Sequence, residues 1–218
     1  MKVLVACEES QAVCKAFRAR GHEAYSCDIQ PPSGGHPEWH IQGDALMAMR
    51  GGHLTTMDGQ THDIDKWDMM IAHPPCTYLT SAGSRWLFDS EHQVKDRDRF
   101  EKMQEAAEFF RQVLNAPILR ICVENPAPMK IAGLPEYSQI IEPYQFGDPW
   151  KKRTCLWLWG LEKLEPTKIV EPIGCWTVSG GGSSCRIKKG YQKTKVRSAK
   201  ERAKTFPGIA AAMADQWG

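Results

Sequence analysis

Cys-x-x-Cys pairs are missing from this sequence despite its eight cysteines, and so is any apolar run near the roughly 20 residues that a membrane helix needs. The first absence removes the ligand spacing of most structural zinc sites. His36 and His40 stand four apart, but a proline lies between them and no metal site is expected. The second absence excludes a membrane partner. The apolar start of "MKVLVACEES" is too short for a signal peptide and meets charge at Glu8, so it reads as a first strand and implies a cytoplasmic address. Glycine is absent from "ACEESQAV", where a dinucleotide-binding fold carries its phosphate-cradling fingerprint, so neither a dinucleotide nor ATP is expected.

What remains is an ordinary globular composition, 42% hydrophobic and 25% charged over 218 residues, enough for one domain with additions. Net charge is only +2, but it is unevenly spread. Residues 186–204 carry nine basic side chains against the single acid Glu201, a net +8, which leaves −6 on the rest. A basic segment on an acidic body is the footprint expected for phosphate contacts.

Strand-like and helix-like segments alternate through the first half. "KVLVA" (2–6) reads as a buried strand, and "QAVCKAFRARG" (11–21) as a helix with Val13, Ala16 and Phe17 on one face and Gly21 at its C-terminal cap. "EAYSCDI" (23–29) alternates as a second strand, and "HIQGDAL" is a short third. Residues 51–63 read as a polar connection, and "WDMMIAH" is a fourth strand running into prolines. "DRDRFEKMQEAAEFFRQVLNA" (96–116) is the clearest helix, with Phe100, Met103, Ala107, Phe110 and Leu114 at steps of three and four. "ILRICVENP" (118–126) is a fifth strand. This order predicts an α/β fold with a Rossmann-like, doubly wound, mostly parallel sheet, whose ligands lie at the carboxyl ends of the strands. "SQIIEPYQFG" and "RTCLWLWG" add strands to a short β-rich C-terminal extension, "SGGGSS" (179–184) is a loop, and "GIAAAMADQW" (208–217) is a closing helix. The chain reads as one domain, 1–218, with residues 165–204 as a reduced basic insertion.

The strand ends carry the chemistry: "CEES" after the first, Asp28 after the second, Asp44 after the third, "HPPC" after the fourth and "ENP" after the fifth. A carboxylate ending the second strand suits ribose hydroxyls, and a ribose-bearing cofactor without phosphate tolerates the missing glycines. Cys76 is a thiol in an exposed loop stiffened by Pro74 and Pro75, a setting for a nucleophile. Glu124 ends an apolar strand, where burial favours the protonated form and makes it a proton donor near neutral pH. Singly, a structural thiol and a turn role for Asn125 are the better readings; on adjacent strand ends they become a site.

The succession "PPC", "VEN" and "KKRTCLW" resembles the cytosine carbon-5 DNA methyltransferases. "ACEESQAVCKAFRARGHEAYSCDI", "AHPPCTYLT", "QFGDPWKKRTCLWLWGL" and "TFPGIAAAMADQW" are more closely similar to small phage- and prophage-encoded members that lack a target-recognition domain. The resemblance implies methyl transfer from S-adenosylmethionine to cytosine carbon 5 in DNA, in a bacterial or phage-infected cell. In it Cys76 would attack carbon 6, Glu124 would protonate or hydrogen-bond ring nitrogen 3, and Arg153 would hold the pyrimidine carbonyl. The S-adenosylmethionine pocket would draw on Cys7, Glu8, Ser10, Asp28, Ile29, Asp44, Ala45, His73 and Pro74. Nucleic acid would meet Asn125, Lys151, Lys152, Arg186, Lys188, Lys189, Lys193, Lys195 and Arg197.

The sequence departs from the family in the glycine-free first loop, in a single arginine at "WKKRT", and in the roughly 45 residues between "LWLWGL" and the last helix, too few for a recognition domain. The expected DNA partner is therefore read with low specificity, as a single strand or through a specificity partner. A pyrimidine in RNA or in a free nucleotide is the second substrate reading, and a non-catalytic DNA-binding relative the third. "HPPC" is also similar to the Pro-Pro-aromatic loop of amino-methyltransferases, but cysteine there removes the stacking platform and ranks that chemistry lower.

Overall fold

A computed structural model describes residues 1–80, 87–89, 91, 93–176, 192–193 and 198–218. Its centre is a seven-stranded sheet built from β1 (Lys2–Ala6), β2 (Glu23–Asp28), β3 (His40–Gln42), β6 (Met69–Ala72), β7 (Ile121–Asn125), β8 (Gln139–Ile141) and β10 (Thr154–Trp159). The strand order is β3-β2-β1-β6-β7-β10-β8, and only β10 runs against its neighbours. The order turns back at β1: the chain moves outward to β3 on one side, then resumes at β6 on the other. A crevice opens at such a switch point, between the carboxyl ends of β1 and β6. The expected α/β class, the doubly wound and mostly parallel sheet, and the closing helix are all present.

Period-two alternation divides the strands between two cores. Val3, Val5, Met69, Ile71, Cys122 and Leu156 face α1 (Ala12–Arg18) and α5 (Pro207–Trp217), meeting Val13, Cys14, Phe17, Met213 and Trp217. Leu4, Ala6, Met70, Ala72, Val123 and Trp157 face α3 (Arg97–Leu114), meeting Met103, Ala107, Phe110 and Val113. α3 begins at Asp96, whose side chain accepts from Arg99 N at 2.9 Å. Of the apolar stripe expected on α3, Phe100 and Leu114 are only partly buried, being at its frayed ends. Pro207 stands at the first position of α5, where its missing N–H costs nothing.

Residues 51–63, expected as a connection, instead form a hairpin of β4 (Gly52–Thr55) and β5 (Thr61–Ile64). The pair is polar outside, and only Ile64 is fully buried, so the hydrophobic pattern was too sparse to announce strands. The extension contributes a small parallel sheet, β12-β11-β9, from β9 (Trp150–Lys151), β11 (Gly174–Cys175) and β12 (Gln192–Lys193). Between it and α5 lie the single turn α4 (Ala199–Ala203) and Phe206, which packs on Trp176. The loop expected at 179–184 lies outside the described residues. Among the described residues no helix is long and apolar enough to cross a membrane.

The glycine-free turn after β1 resolves its geometry without glycine. Cys7 and Gln11 both take left-handed backbone conformations, at φ 59° and 57°, each costing a side-chain-bearing residue about 1 kcal/mol. Gln11 is held there by its fully buried side chain. Nε2 donates to His36 O at 2.8 Å and Ser26 Oγ at 3.2 Å, and Oε1 accepts from His36 N at 3.1 Å. Gln11→Ala keeps the strain and orphans the His36 backbone, so it should lower stability by about 2–3 kcal/mol, measured as a shift in the urea midpoint at unchanged slope.

Candidate active site

The register fixes which strand ends meet. Ala72 of β6 pairs with Val123 of β7, which puts His73 beside Glu124 one step on, and Leu156 of β10 lies opposite Glu124. Alternation from Ile71, Cys122 and Leu156 directs His73, Glu124, Thr154 and Lys152 toward the same side of the sheet, above the α1–α5 core. His73 Nδ1 and Glu124 Oε2 are 3.0 Å apart, with 12% of each side chain exposed. Glu8 approaches from the turn after β1. Both its oxygens point inward, accepting from Val13 N at 2.7 Å and Cys14 N at 3.2 Å, and only 4% of the residue is exposed.

Burial raises both carboxyls, but their surroundings separate them. For Glu124 the burial effect is outweighed by the His73 hydrogen bond, the Lys152 charge and the adjacent Thr154 hydroxyl, so its pKa lies below the ordinary value. These contacts favour the charged form of Glu124, against the protonated form expected from burial alone. For Glu8 burial wins over His73 and the two backbone donors, and its pKa is raised. Burial would lower the imidazole of His73; Glu124 and Glu8 overcome it and hold it above the ordinary value. In stability terms Glu124 contributes fully above its ordinary value of 4.5 and loses this as pH falls through its depressed folded value. His73 contributes fully below 6.5 and loses this as pH rises through its raised folded value.

Asn125 is 2% exposed, and its Nδ2 donates to Pro74 O at 2.7 Å. Buried there, it is not presented to nucleic acid as the sequence reading expected; it fixes the Pro74–Pro75–Cys76 loop to the end of β7. Cys76 closes the loop by accepting from Leu79 N at 3.1 Å and Thr80 N at 3.3 Å through its carbonyl. Its thiol is half-buried and its pKa is raised, by burial first and then by the Glu124 carboxylate, with Lys152 and Arg202 opposing. Cys76 and Glu124 are thus brought together electrostatically.

Arg153 is not brought to them. It is exposed and donates to Tyr137 Oη at 3.3 Å. The cation of the site is Lys152, one residue earlier, whose charge acts on Glu124, His73 and Cys76. Lys152 and Arg153 lie between β9 and β10, and their side chains go to different partners. Lys152 Nζ also donates to Lys204 O at 3.3 Å and lies 5.9 Å from the Phe206 ring centre, joining the site to the segment before α5.

The other expected cofactor residues sit along the same edge. The carboxylates of Asp28 and Asp44 both act on the Cys7 thiol, which burial above all drives far up. Asp28 Oδ1 accepts from Gln30 N at 2.9 Å, and Asp44 caps α2 (Ala45–Ala48) by accepting from Leu46 N at 2.9 Å. Ile29, beside Asp28, is 76% exposed, an apolar surface with a carboxylate next to it. Three expectations need correction. Glu8 has spent both oxygens on α1; Ala45 faces the core; and the buried Pro74 serves the loop, its carbonyl taken by Asn125. Ser10 Oγ accepts only a long 3.5 Å contact from Ala12 N.

Of the basic residues, Arg186, Lys188, Lys189, Lys195 and Arg197 lie outside the described residues. Lys193 belongs to β12 and Lys151 to β9. Lys200 pairs with Glu9 at 3.2 Å, holding α4 over the turn after β1. The electrostatic influence of Glu8 on His73 was not expected from the sequence, where each only ends an apolar strand.

No protein-family model and no curated protein matches the chain. Among solved structures it is similar to one described as a candidate DNA modification methyltransferase encoded within an E. coli prophage, at 16% identity and a TM-score of 0.43, over 78% of this chain and 52% of that one. The chain spans about half the length of that protein, and a likeness so distant bears on neither substrate nor chemistry. The assignment of the site cation is testable from the thiol alone. Lys152→Met should raise the midpoint of the Cys76 alkylation-versus-pH curve by up to about one pH unit, and Arg153→Met should leave it in place.

Proposed function

We propose that the protein transfers a methyl group from S-adenosylmethionine to carbon 5 of cytosine in DNA through a covalent adduct with Cys76. The supporting observation is the Pro74–Pro75–Cys76 loop, pinned by Asn125 beside an ionised Glu124 on the neighbouring strand. A thiol, a carboxylate and a cation at the switch point of a doubly wound sheet are the groups that addition to a pyrimidine ring requires.

The residues present fit the cofactor. Asp28 and Asp44 offer carboxylates to ribose hydroxyls, exposed Ile29 offers an apolar face to adenine, and Cys7 takes a glycine-like conformation where the chain must stay close. When bound, S-adenosylmethionine supplies an electrophilic methyl group on a sulfonium. Cys76 Sγ bonds to ring carbon 6 while its proton passes to Glu124 and on to ring nitrogen 3, which leaves carbon 5 electron-rich. Once carbon 5 is methylated, its proton leaves to solvent, the carbon 5–carbon 6 double bond re-forms as the Sγ–carbon 6 bond breaks, and the proton on ring nitrogen 3 returns through Glu124 to the departing thiolate. Lys152 steadies the anionic character of the pair. In a duplex the base must leave the stack, at a cost of a few kcal/mol that a single strand largely avoids.

The described part of residues 165–204 holds one turn of helix and two two-residue strands. So small a basic insertion supports backbone contact with little reading of sequence, or specificity supplied by a partner. The same economy favours, as a second reading, a pyrimidine in RNA or a free nucleotide; a DNA-binding relative without turnover is the third.

Incubation with labelled S-adenosylmethionine and DNA, RNA or deoxycytidylate locates the methyl group. Cys76→Ser should lower transfer by at least about a thousandfold while DNA binding persists. DNA containing 5-fluorocytosine should give a stable adduct with the wild-type protein. Unchanged transfer in Cys76→Ser rules out the covalent route, and failure to bind the cofactor at ~1 mM rules out both enzymatic readings.

A further inference from the structure

The His73–Glu124 contact goes beyond the proposed reaction, in which His73 has no role of its own. Three side chains act on this imidazole: Glu124 from the end of β7, Glu8 from the turn after β1 and Lys152 from the segment leading into β10. Nδ1 meets Glu124 Oε2 at 3.0 Å, and the backbone N–H of His73 donates to Ala6 O at 2.9 Å, which holds the ring between β1 and β7. Nε2 is buried with no protein partner among the described residues. An imidazole so enclosed has little freedom to leave the carboxylate.

The proposed reaction imposes a proton balance that this arrangement meets. When Sγ bonds to carbon 6, the C5=C6 pair shifts to C4–C5 and the N3=C4 pair takes up a proton at N3. The thiol loses one proton and the ring gains one, so no external acid is needed if a single group can accept the first and deliver it as the second. That group must begin as an anion. Burial alone would keep Glu124 neutral and unable to accept.

We propose that His73 is the positioning residue of the site: by donating from Nδ1 to Oε2 it keeps Glu124 anionic and oriented, so that Glu124 carries the Cys76 proton to ring nitrogen 3. The inference rests on the proposed methyl transfer for its purpose, but its physical content is the coupling of His73, Glu124 and Cys76, which exists without substrate. Burial first and then the Glu124 carboxylate raise the Cys76 thiol, and the His73 hydrogen bond is the largest influence lowering the Glu124 carboxyl. With the carboxylate anionic, the thiol beside it stays protonated, further modulated by Lys152 and by Arg202 of α4.

The test separates the coupling from the turnover. Site-resolved alkylation of Cys76, followed by peptide mass mapping across the neutral-to-alkaline range, reads the thiol directly, and Cys76→Ser gives the background. Glu124→Gln should move the midpoint down, with alkylation at neutral pH on the order of tenfold faster for every pH unit by which the midpoint falls. His73→Ala should move it the same way, because Glu124 takes up a proton once the imidazole is gone. His73→Asn retains an N–H donor near Oε2 and should stay close to wild type. For methyl transfer, kcat should fall about a hundredfold in His73→Ala, with KM for DNA unchanged, and recover most of this in His73→Asn. A thiol midpoint unmoved by His73→Ala, or moved equally by Ala and Asn, overturns the inference. Should the midpoints move as stated while the wild-type protein transfers no methyl group to any substrate, the coupling stands and the methyl-transfer reading falls.

Discussion

Burial of three ionisable side chains at one junction is the constraint on which the rest of this structure depends. Glu8, His73 and Glu124 extend from β1, β6 and β7, three adjacent parallel strands, into an interior where an unpaired charge would be untenable. Two carboxyls share one imidazole, and the outcome is asymmetric. Glu8 turns its oxygens to the first amides of α1 and is driven toward its neutral form. Glu124 gains His73 and Lys152 and remains charged. Environments that push two like groups apart are how one pocket comes to hold both an acid and a base. The same contacts are structural, since α1 is seated through Glu8 and the segment before β10 through Lys152. The site and the packing at the switch point therefore stand or fall together.

The turn after β1 carries the consequence of that inward-facing Glu8. A turn with glycines could let a cofactor approach its backbone from any side; this one places side-chain-bearing residues at both left-handed positions and ties Gln11 to Ser26 and His36. The missing glycine is found in the neighbouring loop. A Cβ on Gly34 would stand 2.5 Å from Gln11 Cβ and 2.6 Å from Ser10 O, so the two segments touch backbone to backbone only because residue 34 has no side chain. The close approach that a glycine-rich turn would supply internally is supplied here across two loops, and Lys200 clasps the outer side through Glu9.

Much of this was legible in the sequence, and the divisions have physical causes. Strands such as Lys2–Ala6 and Met69–Ala72 are buried on both faces and announce themselves as apolar runs, and the stripe on Arg97–Leu114 has only one way to face a core. That Asp28, Asp44, His73 and Glu124 share an edge follows from parallel strands, and the register of β6 against β7 turns that expectation into a contact. The hairpin at 52–64 was hidden because its outer face is polar. Which cation acts on Glu124 was hidden because "KKRT" offers three cations in a row and their partners come from distant parts of the chain. Ionisation of Glu124 was misjudged for a different reason: burial was foreseen, but its partner came from another strand end, and no local pattern encodes a contact between residues 51 positions apart.

A protonated thiol beside a carboxylate at first looks like a poor nucleophile. Under the proposed reaction it is the resting state that the proton balance demands. A cysteine with a depressed pKa would be a permanent thiolate, open to oxidation and to any electrophile that reached the loop. Here the thiol cannot lose its proton to water cheaply, because burial first and then the Glu124 carboxylate disfavour the resulting charge. It can lose the proton to Glu124 only if Glu124 can pass one on, and the ring nitrogen of a bound pyrimidine is the acceptor that completes the path. Nucleophilicity is then conditional on the base being in place. The rigidity contributed by Pro74, Pro75 and the Asn125–Pro74 hydrogen bond matters for the same reason, since it holds the loop that carries the thiol at the end of β7.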